Sequence, residues 1–233
     1  MITVICLEGC HGSGKTELCK YLSKHGVKIL DEAFLDMPSF SGIPPQSLTM
    51  ETVWISNWMQ RVMHIKNKHT FESHNNTTNN NNTTNNVNNN NSTSNSNSKQ
   101  PLSTVYIADR SPYSAVLYAR DHGRLLDPVI RIQIEELRKY ADIDIRTVYL
   151  KVSKNMLWDR IEKRLAREPS RRLYGEHEYK WMEDSVDFYD SQKWDLTVSN
   201  NDNIPDVDRV QSIFNHFNLE FPKSILLDDD RQE

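Results

Sequence analysis

A chain of 233 residues with a formal net charge of −4 suits one α/β domain and leaves little for a second. That charge excludes a general nucleic-acid coat, although it leaves room for a local basic site. No run approaches the ~18 apolar residues of a membrane span, so no membrane association is expected.

Residues 1–7 form an apolar, β-branched run that enters a glycine loop directly. No basic n-region precedes it, so no signal peptide is expected. The cysteines are Cys6, Cys10 and Cys19, an odd set confined to the first twenty residues. They match neither a disulfide framework nor, with His11, a familiar zinc spacing, and the expectation is a reducing, cytoplasmic compartment. Helical patterning follows over 15–25, a short strand over Val27–Leu30, and a long helix over 47–70 rich in Trp, Met, Val and Ile.

Residues 75–98 hold 14 Asn, 5 Thr, 4 Ser and one Val, which cannot build a core. The tract reads as a solvated, disordered insertion, and it accounts for a hydrophobic content of only 37%. Without it 209 residues remain for the domain. A third strand, Val105–Ala108, ends at Asp109. Helices are expected over 112–121 and 127–140, a strand over Thr147–Val152, helices over 154–166 and 176–191, a strand over Leu196–Val198 and a helix over 206–216. This alternation predicts a parallel sheet with helices on both faces, with ligands at the carboxyl ends of the strands.

Chemistry concentrates at those ends. Gly9-Cys10-His11-Gly12-Ser13-Gly14-Lys15-Thr16 matches Gly-x-x-x-x-Gly-Lys-Thr between a strand and a helix. In such a loop backbone N–H groups and a helix N-terminus cradle phosphates, the Lys15 ammonium neutralises them, and the Thr16 hydroxyl reaches Mg2+. No guanine-reading Asn-Lys-x-Asp is present. The second strand ends in Asp31-Glu32, either a solvated turn or a general base beside the phosphate loop. The third ends in Asp109-Arg110-Ser111-Pro112, where Asp109 is placed for Mg2+ and Arg110 for a phosphate or the reacting oxygen, while Ser111 and Pro112 suit a helix start. Residues 160–172 carry six basic and two acidic residues. Arg160 and Arg164 are four apart, with Arg167 following, as in a lid that closes over a nucleotide.

Taken together, these segments resemble the deoxynucleoside kinase family, a branch of the P-loop kinases related to thymidylate kinase. The resemblance implies a three-layer α/β/α sandwich with a five-stranded parallel sheet, spanning 1–217, interrupted by the 75–98 insertion and followed by an acidic tail over 218–233. It implies Glu32 as general base, Arg110 at the acceptor oxygen, and Arg160 and Arg164 on the phosphates of ATP. On the second helix Arg61 matches the family's arginine. Trp54 stands where the family carries a base-reading glutamine, and Ala33 stands where proline follows the catalytic glutamate. Trp54 could stack on a base or pack the helix on the sheet. The implied activity is ATP-dependent phosphorylation of a (deoxy)nucleoside to its 5′-monophosphate, with Mg2+. A thymidylate-kinase-like monophosphate kinase and a non-catalytic nucleotide-binding switch are the alternatives. ATP and a nucleoside or nucleotide are the expected partners, with a homodimer left open.

Overall fold

Strand β1 (Ile2–Glu8) is buried along its whole length, the mark of a central strand covered on both faces. Around it, in this computed structural model, the described residues are 1–32, 37, 40–79 and 104–225, with the backbone alone over 69–79. The strands are β2 (Lys28–Leu30), β3 (Val105–Asp109), β4 (Ile143–Lys151) and β5 (Leu196–Ser199). They form one parallel sheet in the order β2-β3-β1-β4-β5. The helices are α1 (Lys15–Lys24), α2 (Leu48–Asn79), α3 (Ser114–Tyr118), α4 (Asp127–Ala141), α5 (Lys154–Arg167), α6 (Tyr179–Ser191) and α7 (Asp206–His216).

Because side chains alternate across a strand, the sheet feeds two cores. Ile2, Val4 and Cys6 of β1, Tyr106 and Ala108 of β3, and Ile143 and Ile145 of β4 pack against α2 and α4. Ile5 and Leu7, Val105 and Ile107, and Val148 and Leu150 face α1 and α7. Each helix presents a stripe at helical spacing: Trp54, Ile55, Trp58, Met59 and Val62 on α2, and Leu18, Cys19 and Leu22 on α1. A third cluster joins α5 and α6 to Cys10 through Leu157, Ile161, Trp181, Met182 and Tyr189. It seats these two helices beside the phosphate loop. The result is a three-layer α/β/α arrangement around one parallel sheet.

Several boundaries differ from the sequence expectation. β4 begins at Ile143 rather than Thr147. The charges that hid its first turn are paired: Asp144, buried in the sheet, accepts from Arg138 and Arg146. The single helix expected over 112–121 is divided into α3 and a 3-10 segment, Arg120–Leu125. There Gly123 lies against the Val116 carbonyl so closely that a Cβ would fall 1.7 Å from its oxygen. The long helix α2 carries into the first five residues of the Asn-rich tract, since extending a formed helix is easier than starting one. Residues 80–98 lie outside the described residues, as do Ala33 and the 226–233 part of the acidic tail. The packed domain also continues past residue 217, because Leu219 and Ile225 are buried in the α1/α7 core.

Candidate active site

Residues just past the carboxyl ends of β1, β2, β3 and β5 line one cavity of about 890 Å3, a size that suits small-molecule ligands. Along one wall runs the phosphate loop, held in shape from behind. Gly14 has φ 91°, and a Cβ there would meet the Asn200 side-chain nitrogen at 2.5 Å. Asn200, just past β5, donates to the Ser13 carbonyl and fixes the loop to the sheet. Lys15 is buried, and its ammonium donates to the Gly9 and Cys10 carbonyls at 2.8 and 3.0 Å and to Ser13 Oγ at 3.3 Å. Burial brings its pKa down to about 8, with the Arg110 charge adding to the shift while Asp109 and Glu32 oppose it. His11, also buried, is pushed down to about 3 by burial and by the Lys15 charge, so it is a neutral ring.

Thr16 Oγ1 donates to Asp109 Oδ2 at 2.7 Å, which joins the start of α1 to the end of β3. The other carboxylate oxygen, Asp109 Oδ1, is buried without a hydrogen-bond partner. A hydroxyl beside a partly unpaired carboxylate is a hard oxygen set, and it fits a Mg2+ ion that completes its shell with phosphate and water. Among the described residues no group of three or more His, Cys, Asp or Glu is arranged to hold a metal.

Glu32 and Arg110 line the same cavity as the loop, and their charges act on Lys15. Arg110 Nε donates to Glu32 Oε1 at 2.6 Å. Its NH1 donates to Ser114 Oγ and Tyr189 Oη, and its guanidinium lies 5.2 Å from the centre of the Tyr118 ring. Burial works against the Arg110 charge, but Tyr118, Glu32 and Tyr189 outweigh it and the guanidinium stays protonated. Burial alone would raise the Glu32 carboxyl, yet Arg110 and Lys15 hold it below the usual carboxylate range. Glu32 is therefore ionised at neutral pH, with its charge directed at the region between loop and cavity.

Arg160, Arg164, Arg167 and Arg171 line the same cavity. Arg160 donates to the Asn200 carbonyl and to Asp202, while Arg164 and Arg171 converge on Glu168. Arg171, which the sequence reading passed over, also pairs with the buried Glu176 at 3.0 Å. Trp54 packs α2 on the sheet, buried in the α2 core, and part of it also lines the cavity. Arg61 is not among the residues lining this cavity, and its NH1 donates to the Asp31 carbonyl at 2.7 Å. Its register on α2 sets its side chain over the backbone after β2, which sequence spacing could not show.

Two further residues escaped the sequence reading. Glu8, 0% exposed at the end of β1, accepts from Ser111 N, Ser111 Oγ and Ser114 Oγ at 2.7, 2.5 and 2.8 Å. An acid closing an otherwise apolar strand was the available signal. Glu51 on α2 lines the cavity, and burial pushes its carboxyl up to about 8 although the Arg110 charge opposes this.

A family model described as an AAA domain matches residues 5–185, from β1 into α6. No curated protein matches the chain. Among solved structures, deoxyadenosine kinase from M. mycoides with the products dCMP and a flexible dCDP is similar at 16% identity. That likeness covers 92% of this chain and 98% of that one, with a TM-score of 0.49. The same-named enzyme with bound dATP gives 16% identity, 94% and 100% coverage and a TM-score of 0.39. With bound dCTP the values are 15%, 92%, 98% and 0.40.

Proposed function

The chain belongs to the AAA domain family, and from that premise we propose that it is a kinase that transfers the γ-phosphate of ATP to the 5′-hydroxyl of a (deoxy)nucleoside. The observation that carries this reading is the Glu32–Arg110 pair lining the same cavity as a complete phosphate loop. A nucleotide switch needs the loop alone. A paired acid and guanidinium beside the loop suit an acceptor hydroxyl.

In this reading the loop N–H groups and the Lys15 ammonium hold the β- and γ-phosphates. Thr16 and Asp109 hold Mg2+, which when bound neutralises charge on the phosphate oxygens. Glu32 takes the proton of the 5′-hydroxyl as its oxygen bonds to the γ-phosphorus, and ADP departs with the electrons of the broken P–O bond. Arg110 keeps Glu32 oriented and steadies the acceptor oxygen. Arg160 and Arg164 exchange Asp202 and Glu168 for phosphate oxygens when the lid engages ATP. The three free, buried thiols fit the reducing compartment that such an enzyme would occupy.

A nucleoside acceptor is favoured over a monophosphate. Binding a dianion beside the ionised Glu32 needs free guanidinium groups. Arg61 lies outside the cavity lining, Arg160 and Arg164 serve ATP in this reading, and Arg171 would have to leave two carboxylates, Glu168 and the buried Glu176. The test is acceptor-stimulated ADP formation with Mg2+ and ATP. We expect stimulation by nucleosides and its loss, by at least ~10³-fold, in Lys15→Ala, which still folds. ADP formation indifferent to every acceptor, or near-wild-type turnover in Lys15→Ala, would contradict the reading.

A further inference from the structure

The segment between α5 and α6 forms part of the cavity wall without being packed into the protein. Its 3-10 turn, Pro169–Tyr174, buries no residue, and Leu173 is 79% exposed although it lines the cavity. A segment with no buried side chain gains little from the hydrophobic effect and opens easily. The ion pairs of Arg171 with Glu168 and Glu176 lie within residues 168–176 and do not anchor them elsewhere. A tie to another part of the wall comes from Gln46, just before α2, whose Nε2 donates to the Tyr174 carbonyl at 3.3 Å.

Gln46 is itself held by Arg120. The Arg120 Nε donates to Gln46 Oε1 at 3.1 Å, and its NH2 donates to the same oxygen. The guanidinium lies 3.6 Å from the centre of the Trp181 ring at the start of α6, a cation over an aromatic face. Arginine only donates and a backbone carbonyl only accepts, so the Gln46 amide has one orientation between them. Arg120 has φ 53°, a backbone conformation that is costly for any residue but glycine, although the residue is exposed. Strain kept at an exposed arginine has to be offset by what its side chain does.

We propose that Arg120 and Gln46 form a strap that fastens residues 169–176 over the cavity and keeps water from the transferring phosphoryl group. The inference rests on the nucleoside-kinase reading and goes beyond it, since neither residue has a part in the phosphate or acceptor chemistry above. Arg120 is a positioning residue, because it acts through Gln46 and is not among the residues lining the cavity. The Gln46–Tyr174 bond is the link that breaks to admit ligands, and the freed carbonyl passes to water at little cost. Arg120 keeps the Gln46 amide oriented, so the bond re-forms when the segment returns. With the strap closed, the acceptor hydroxyl is the nucleophile at the γ-phosphorus. With it open, a water oxygen bonds to that phosphorus, its proton passes to Glu32, and ADP departs with the electrons of the broken P–O bond.

The experiment compares wild type with Arg120→Gly, Gln46→Glu and the double variant. Arg120→Gly removes the side chain and suits the left-handed backbone, so the melting temperature should stay near wild type. Gln46→Glu keeps the acceptor for Arg120 but has no N–H for the Tyr174 carbonyl. Hydrogen exchange over residues 169–178 is followed by mass spectrometry, in the protein alone and with adenosine 5′-(β,γ-imido)triphosphate and Mg2+. ADP formation is measured with ATP and Mg2+ alone, and with thymidine, deoxycytidine, deoxyadenosine or deoxyguanosine added. We expect exchange over 169–178 to rise about tenfold in both single variants. Acceptor-free ADP formation, relative to nucleoside phosphorylation, should also rise about tenfold. The double variant should be no worse than either single one, because each cuts the same link. Wild-type exchange in either single variant overturns the proposal. So does faster exchange spread through the β-sheet with a fallen melting temperature, which would make Arg120 a support of the fold. Opening without a rise in acceptor-free ADP formation, in a protein that phosphorylates nucleosides, refutes the exclusion of water. Should wild type phosphorylate no nucleoside, the kinase reading fails, and the exchange over 169–178 alone decides the strap.

Discussion

Arg110 sits at φ 78°, a left-handed conformation that costs a non-glycine residue roughly 1–3 kcal/mol. Its backbone is held there on both sides: its N–H donates to the Leu7 carbonyl at 3.1 Å, and its own carbonyl accepts the Trp58 indole at 3.2 Å. The bent backbone carries the guanidinium from the end of β3 onto Glu32. The same geometry distinguishes the two adjacent acids after β2. Glu32 lines the cavity and pairs with Arg110, whereas Asp31 is exposed and offers its carbonyl to Arg61. Glu32→Gln is therefore predicted to lower kcat by ~10²–10⁴-fold with a modest change in KM, since the amide keeps the shape but cannot take the hydroxyl proton. Steady-state kinetics on Glu32→Gln and Asp31→Asn checks this. A large loss in Asp31→Asn with little in Glu32→Gln would assign the base to the wrong carboxylate.

Between elements, the site depends on Glu8 joining the end of β1 to the start of α3. The three donors it satisfies all belong to the segment that carries Arg110, and Ser114 passes the connection to Tyr189 on α6. Glu8→Leu would leave Ser111 N, Ser111 Oγ and Ser114 Oγ without this acceptor in the interior. A loss of ~3–5 kcal/mol is predicted, seen as a melting temperature lower by about 10 °C for a domain of this size. A thermal melt within a degree or two of wild type would show that these contacts carry little. The order and type of elements were legible in the sequence because apolar periodicity and glycine punctuation report them directly. The start of β4 was not, since Asp144 and Arg146 read as loop until their pairing is seen. Nor was the division of the helix after Asp109, which depends on Gly123 closing onto Val116. The phosphate loop, Glu32, Asp109 and Arg110 were legible as motifs. Glu8, Glu51 and Arg171 were not, because their roles arise from contacts between elements distant in sequence.

For the whole molecule, parallel pairing of five strands aligns their carboxyl ends, so the loop at 11–16, an acid at 32, an arginine at 110 and an asparagine at 200 share one cavity. Residues 80–98 lie outside the described residues, and their composition is polar apart from Val87. We expect exchange of 80–98 for a Gly/Ser chain of equal length to leave kcat/KM and melting temperature unchanged, because such a chain preserves loop length and its closure entropy. A folded but inactive exchange variant would assign the tract a catalytic part. The central claim is that the acceptor is a neutral 5′-hydroxyl rather than a phosphate. Its most direct test is kcat/KM, with ATP and Mg2+, for each of the four deoxynucleosides against its own 5′-monophosphate, with the product identified by mass. The account predicts a nucleoside 5′-monophosphate as the product of the fastest reaction. A monophosphate that outperforms every nucleoside by about tenfold, ~1.4 kcal/mol of transition-state preference, would contradict it.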